Sequence, residues 1–141
     1  MKPHFLLVDP AHYDVSYVIN PWMDPGIWAS DSERLTQQAR AGFDTLVEAL
    51  EKAGARTTVV AGRPGLADMV FPANAGIVLD RRVIPSRFLR AERQGEEAWF
   101  QDIFRQFVAD GILDEIVELP DTMRQEGAGD CLWDATRRLA W

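Results

Sequence analysis

Polar side chains of a kind that can hold a small ligand stand beside prolines and glycines along the chain. Asn20 precedes Pro21, Asp68 opens Asp-Met-Val-Phe-Pro, Asn74 sits in Ala-Asn-Ala-Gly, and Glu126 opens Glu-Gly-Ala-Gly-Asp. Arg87 and Arg93 lie between the last two stretches. A carboxylate only accepts hydrogen bonds, whereas an amide both donates and accepts, so Asn can orient a neutral group or a water as well as a cation. Each residue also has a structural reading. Glu126 can cap a turn, Asp68 can open a strand, and Asn20 and Asn74 can be ordinary loop asparagines. An arginine near Glu92, Glu96 and Glu97 is ordinarily a solvated surface residue.

Covalent and metal chemistry find less to work with. The only histidines are His4 and His12, both near the start, and the single thiol is Cys131. These give no metal-ligand spacing of the usual kinds, so no metal site is expected. Cys131 reads as a core residue, because no base stands partnered with it in the sequence. Gly127 and Gly129 follow no strand-to-helix turn of the phosphate-binding type, and no nucleotide cofactor is expected.

The elements that must position these residues belong to an α/β or α+β chain. Its 141 residues, 47% hydrophobic with five Trp and seven Phe, suit one globular domain over residues 1–141. Fifteen basic against 22 acidic residues leave a net charge of −7. With no basic stripe, nucleic acid is excluded as a partner, while a cationic small molecule is compatible with the charge. The first apolar run is too short for a signal peptide or a membrane span, which implies no membrane partner and a cytoplasmic location. One cysteine excludes an internal disulfide.

Residues 5–8 read as a buried strand ending at Asp9-Pro10. Residues 11–27 follow neither period and read as a long ordered loop. Asp31 or Ser32 caps a helix to about residue 53, with Gly54 as its stop and Leu35, Ala39, Phe43, Leu46, Val47 and Leu50 on one face. Residues 56–61 are strand-like and 62–67 a turn. Two apolar runs within 69–87 form a hairpin about Asp80-Arg81-Arg82, with Pro85 placing the second run at a sheet edge. A second amphipathic helix spans 95–110, with Trp99, Phe100, Ile103, Phe104 and Phe107 on its face and Gly111 as its end. Strands follow at 115–119, 131–133 and 138–141. The order contains two successive strand-helix-strand-hairpin units without a sequence repeat.

Three stretches together resemble a known superfamily. They are Asp14-Val-Ser-Tyr-Val-Ile-Asn20-Pro-Trp-Met23; Asp68 to Gly76 with Ser86-Arg-Phe88 and Glu92-Arg-Gln-Gly-Glu96; and Glu126 to Asp130. The chain resembles the N-terminal half of the guanidino-group-modifying enzymes: amidinotransferases, arginine deiminases, dimethylarginine dimethylaminohydrolases and arginine dihydrolases. The Ala-Asn-Ala-Gly stretch is most similar to the dihydrolase type. The resemblance implies a pentein-like α/β propeller, of which this chain would supply about two strand-strand-helix-strand blades and part of a third. It implies a guanidine substrate such as arginine or a methylated arginine. Asp68 and Glu126 would hold the guanidinium, whose donor fork matches carboxylates, with glycines allowing close backbone approach. Asn20 and Asn74 would orient an intermediate in a reaction that removes two ammonias. Arg87 and Arg93 would bind the α-carboxylate.

The implied mechanism is covalent: a Cys thiolate attacks the guanidino carbon and a His moves protons, without a cofactor. Both residues belong to the later half of the family's chains, so no catalytic residue is assigned here, Glu126 being the one candidate. Three residues depart from the family's pattern. Gln125 stands where relatives have Phe, Ala67 where they often have Pro, and Pro85 in a strand that should pair. The alternatives are a non-catalytic guanidine-binding or interaction module, and an amidinotransferase. The expected partners are a guanidine, a missing C-terminal half or further copies of the chain, since two blades of a ring leave edges exposed.

Overall fold

The computed structural model describes residues 2–141. The chain divides into two compact units, one reaching to Phe71 and the other spanning Pro72–Trp141.

In the first unit, strands β1 (His4–Val8) and β2 (Arg56–Val60) pair in parallel, with His4 opposite Arg56 and Val8 opposite Val60. Parallel strands need a crossover, and helix α2 (Ser32–Lys52) supplies it. Its apolar face follows the expected spacing, but none of its residues is fully buried and Leu46 is half exposed. A two-stranded sheet is too narrow to cover a helix of this length. Asp9 accepts from the Ala11 amide and takes the Arg40 guanidinium on both carboxylate oxygens, tying the end of β1 to α2. That hydrogen bond to Arg40, more than any other contact, holds the Asp9 carboxyl below its ordinary value.

The segment read as a loop, residues 11–27, ends inside a helix, α1 (Pro25–Ser30). Asp24 accepts from the Gly26 and Ile27 amides at 2.8 and 3.1 Å, and Pro25 takes the first helical position, where no amide is needed. The Asp-Pro pair therefore starts a helix here and does not merely break one.

In the second unit, β3 (Gly76–Leu79) and β4 (Arg82–Pro85) form the expected hairpin. Its two turn residues, Asp80 and Arg81, have φ of 49° and 62°, the left-handed pair that matches strand twist. Strand β5 (Glu115–Ile116) pairs in parallel with β4, so the sheet order is β3-β4-β5 and β4 is central. This corrects the edge placement read from Pro85. Val83 turns its carbonyl to the β5 side, where Val117 N donates to it. Pro85, two residues on, turns its nitrogen to the same side, beyond the last paired residue of the short β5.

A short helix α3 (Ala91–Gln94) precedes α4 (Glu96–Ala109), which packs on β4 and β5. Phe100 and Phe104 of α4 are buried, their rings 6.3 Å apart and nearly parallel, together with Val83, Phe88 and Leu113. Strands β6 (Trp133–Asp134) and β7 (Leu139–Ala140) form a separate antiparallel hairpin. No helix among the described residues is long and apolar enough to cross a membrane.

Because the Asp9 carboxyl titrates lower in the folded chain than in the unfolded one, its pairing stabilises above the ordinary value of 3.8 and is lost as pH falls through the folded value. Urea denaturation of the Asp9→Asn variant is expected to show a constant deficit against the unaltered chain from about pH 5 to 7, shrinking below pH 4. Truncating Phe100 to Ala should cost about 3–5 kcal/mol and abolish the near-UV dichroism of the second unit's aromatic core.

Candidate functional site

Four residues of the second unit carry the candidate site, and the backbone at 86–89 organises them. Ser86 and Phe88 point inward and are buried. The Ser86 hydroxyl donates to the Asn74 carbonyl at 2.5 Å. Phe88 N donates to Glu97 Oε1 at 2.7 Å, Phe88 O accepts from Arg124 and Gln94, and Leu89 N donates to Glu126 Oε1 at 3.0 Å. This segment therefore fixes the Glu126 carboxylate from one side. From the other, the Glu126 amide donates to Asp130 Oδ2 at 2.8 Å.

Asn74 ends a short turn, Pro72–Asn74, and faces the Gly127–Gly129 turn. Its Nδ2 donates to the Glu126 carbonyl at 2.9 Å. The approach is close enough that only glycine fits. A Cβ on Gly127 would lie against the Ala73 carbonyl and 2.9 Å from Asn74 Cα, at a φ of +66°, and a Cβ on Gly129 would lie 3.1 Å from Asn74 Nδ2. Gln125 completes the join. Its Nε2 donates to the Ile84 and Pro85 carbonyls at 3.1 and 2.8 Å, and its Oε1 accepts from Gly127 N at 2.6 Å. The departure at Gln125 is thus accommodated by an amide that is buried and satisfied on both ends.

Arg93 stands with Asn74 and is buried. Its Nε and Nη2 donate to the two oxygens of Glu96 at 2.9 and 2.8 Å, its Nη1 donates to Asn74 Oδ1 at 3.2 Å, and its guanidinium carbon lies 4.3 Å from the centre of the Phe88 ring. The sequence reading of Arg93 as solvated surface does not hold. Arg87 is not brought to this cluster. It alternates to the face opposite Ser86 and Phe88, and its guanidinium donates to the carbonyls of Leu119, Pro120 and Met123 and to Asp121.

Asn20 and Asp68 belong to the first unit. Asn20 is half-buried, and its Nδ2 lies 3.8 Å from Met23 Sδ. Asp68 is buried in the turn Ala67–Val70, between the equally buried Ala67 and Met69. It begins a turn and not a strand. Nearby, the Tyr13 ring meets Trp28 and Phe71 edge-on, at 5.1 and 6.3 Å between centres. Burial raises the Tyr13 hydroxyl above its ordinary value, and the charges of Asp68 and Asp14 add to this. Aromatics are visible in the sequence here, but local spacing does not signal that Tyr13, Trp28 and Phe71 cluster.

The remaining reactive groups are engaged elsewhere. His4 Nε2 is 2.8 Å from Thr58 Oγ1, and burial, then Arg56, lowers its pKa. Cys131 is half-buried, its amide donating to the Gly127 carbonyl. No group of three potential metal ligands occurs among the described residues.

No protein-family model matches the chain. It is 42% identical over 137 residues to the bifunctional arginine dihydrolase/ornithine cyclodeaminase AgrE of Nostoc sp., a match covering 97% of this chain and 18% of that protein. The corresponding enzyme ArgZ of Synechocystis sp. is 43% identical over 136 residues, with coverage of 96% and 18%. The crystal structure of the N-terminal domain of ArgZ bound to product superposes with a TM-score of 0.78 at 41% identity, covering all of this chain and 48% of that domain. The complex of an AgrE variant with L-arginine gives a TM-score of 0.76 at 41% identity, over 99% of this chain and 19% of that one.

The chain is a homologue of the N-terminal part of these arginine dihydrolases. It shares their mixed α/β fold and spans less than half the length of these relatives. The likeness gives the Asn74–Glu126 join a context, since the motifs that carried the resemblance, Ala-Asn-Ala-Gly and Glu-Gly-Ala-Gly-Asp, are the two turns that meet there. Gly127→Ala should therefore be among the most damaging small substitutions. It is expected to cost about 2 kcal/mol or more from positive φ and steric overlap together, read as a lowered thermal midpoint, whereas Gly65→Ala, with nothing near its Cβ, should cost only the backbone part.

Proposed function

We propose that this chain is the substrate-binding, N-terminal part of a hydrolase acting on the guanidino group of arginine or a methylated arginine. The observation that carries the reading is the meeting of Asn74 with the Glu126 turn in a chain similar over nearly its whole length to a protein solved with L-arginine. In this reading the two units are blades, with the start of a third, of a pentein-like α/β propeller in the cytoplasm. Asp68 and Glu126 accept from the guanidinium. Asn20 and Asn74 orient the departing nitrogen or the attacking water. Arg93 meets the α-carboxylate. Arg87 has no part in it, because its donors serve the loop at 119–123. The nucleophilic Cys and the proton-shuttling His come from residues outside these 141, and no cofactor is required.

A second reading, a non-catalytic guanidine-binding module, is favoured by one observation. The single thiol, Cys131, lies beside the Gly127 turn with no histidine in its own unit.

Isothermal titration with L-arginine tests the binding role. The unaltered chain should bind, and Glu126→Gln or Asn74→Ala should weaken binding at least about tenfold, the effect of one lost charge-assisted or buried hydrogen bond. Ammonia release from arginine should then appear only when the chain is supplied with the C-terminal part of such an enzyme. Binding without ammonia release in that reconstituted mixture would move the assignment to the binding module.

A further inference from the structure

Glu96 has no solvent exposure, and the proposed function gives it no task. A fully buried carboxylate is costly, and a buried ion pair is weak evidence of stabilisation, because apolar residues of similar volume often serve as well. The geometry around it has a specific consequence. Glu96 takes both the Nε and the Nη2 donors of Arg93, which fixes the plane of that guanidinium above the Phe88 ring. Arg93 Nη1 is then directed at the Asn74 side chain. Arginine has donors only, so the Asn74 atom facing it must be the oxygen. The Asn74 nitrogen consequently faces the Glu126 carbonyl, which has lone pairs only. At least one N–H and one lone pair of the amide are thereby committed, and the amide's orientation is set by charge.

We propose that Glu96 is a positioning residue of the guanidine site, acting through Arg93 to hold the Asn74 amide in the one orientation that joins it to the Glu126 turn. The proposal rests on the guanidine-binding reading for its functional consequence, but not for its structural one. It differs from a structural role for the pair, in which Glu96 merely neutralises Arg93 and the Asn74 amide turns freely.

The test uses the whole chain labelled with 15N, with the Asn74 side-chain NH2 signals assigned by their loss in Asn74→Asp. In Glu96→Gln one side-chain amide N–H would oppose Arg93 Nη2, and the fork can no longer be held flat. The Asn74 signals are expected to shift and to exchange with solvent about tenfold faster, and affinity for agmatine, which lacks the α-carboxylate, to fall by about tenfold, with L-arginine falling at least as far. A folded Glu96→Gln chain with unchanged Asn74 signals and unchanged affinities would overturn the proposal. If Glu96→Gln does not fold, the apolar pair Arg93→Met with Glu96→Leu takes its place. Weakened binding of agmatine would support the proposal, because agmatine has no carboxylate for Arg93 to hold, whatever further loss L-arginine shows. Unchanged affinity for agmatine would overturn it, a loss confined to L-arginine being the loss of the carboxylate contact alone. If the unaltered chain binds neither ligand, the guanidine reading fails by itself, and the Asn74 signals of Glu96→Gln still decide the positioning role.

Discussion

The second unit is built around a carboxylate that water never reaches. Glu96 stands at the first turn of α4, where the helix dipole favours negative charge, and the Arg93 guanidinium closes over it from the preceding short helix. Removing either partner alone would leave an uncompensated buried charge, so the two must be placed together or not at all. Their placement fixes where α3 meets α4, and the Arg93 plane seats on Phe88, itself fully buried. The aromatic core and the polar cluster thus share one boundary, with the Phe88 ring on the apolar side and the arginine on the other.

From that boundary the alternation of an extended chain does the rest. Residues 86–89 send Ser86 and Phe88 inward to Asn74 and Arg93, and Arg87 outward to cap the carbonyls of another loop. Their backbone amides at Phe88 and Leu89 hold Glu97 and Glu126. Two turns then approach so closely that a Cβ on one would overlap the backbone of the other. Gln125 makes this contact polar: one buried amide satisfies two strand carbonyls and one turn amide. Pro85 is tolerated beside it because its nitrogen turns to the β5 side, beyond the last paired residue of that short strand.

The first unit follows another logic. Its strands are joined by a long helix that the narrow sheet half covers, and the tie between them is an exposed-edge ion pair, Asp9 with Arg40. Such a pair contributes modestly and is screened by salt. Asp68, by contrast, is buried beside an aromatic cluster whose tyrosine it helps to hold protonated.

The amino-acid sequence determined the parts that depend on local periodicity and stop signals. The faces of α2 and α4, the Asp80-Arg81 hairpin and the glycine stops at Gly54 and Gly111 were legible because spacing and left-handed turn residues are properties of short segments. The motifs were legible too, and with them the likeness to the arginine dihydrolases and the place of Asn74 and Glu126 in two of those motifs. Shorter signals misled: Asp24-Pro25 reads as a breaker and begins a helix, and Pro85 reads as an edge residue in a strand that is central. Only the tertiary structure decided which polar groups meet. The sequence offers both Arg87 and Arg93, the latter matching the family pattern better, and the fold turns one to a loop and buries the other on Glu96. It presents Gln125 as a departure, and the fold makes it a clamp. The physical reason is that hydrogen-bond partners here lie many residues apart, as far as Asn74 from Glu126, and burial sets their strength; neither property exists until the chain has folded.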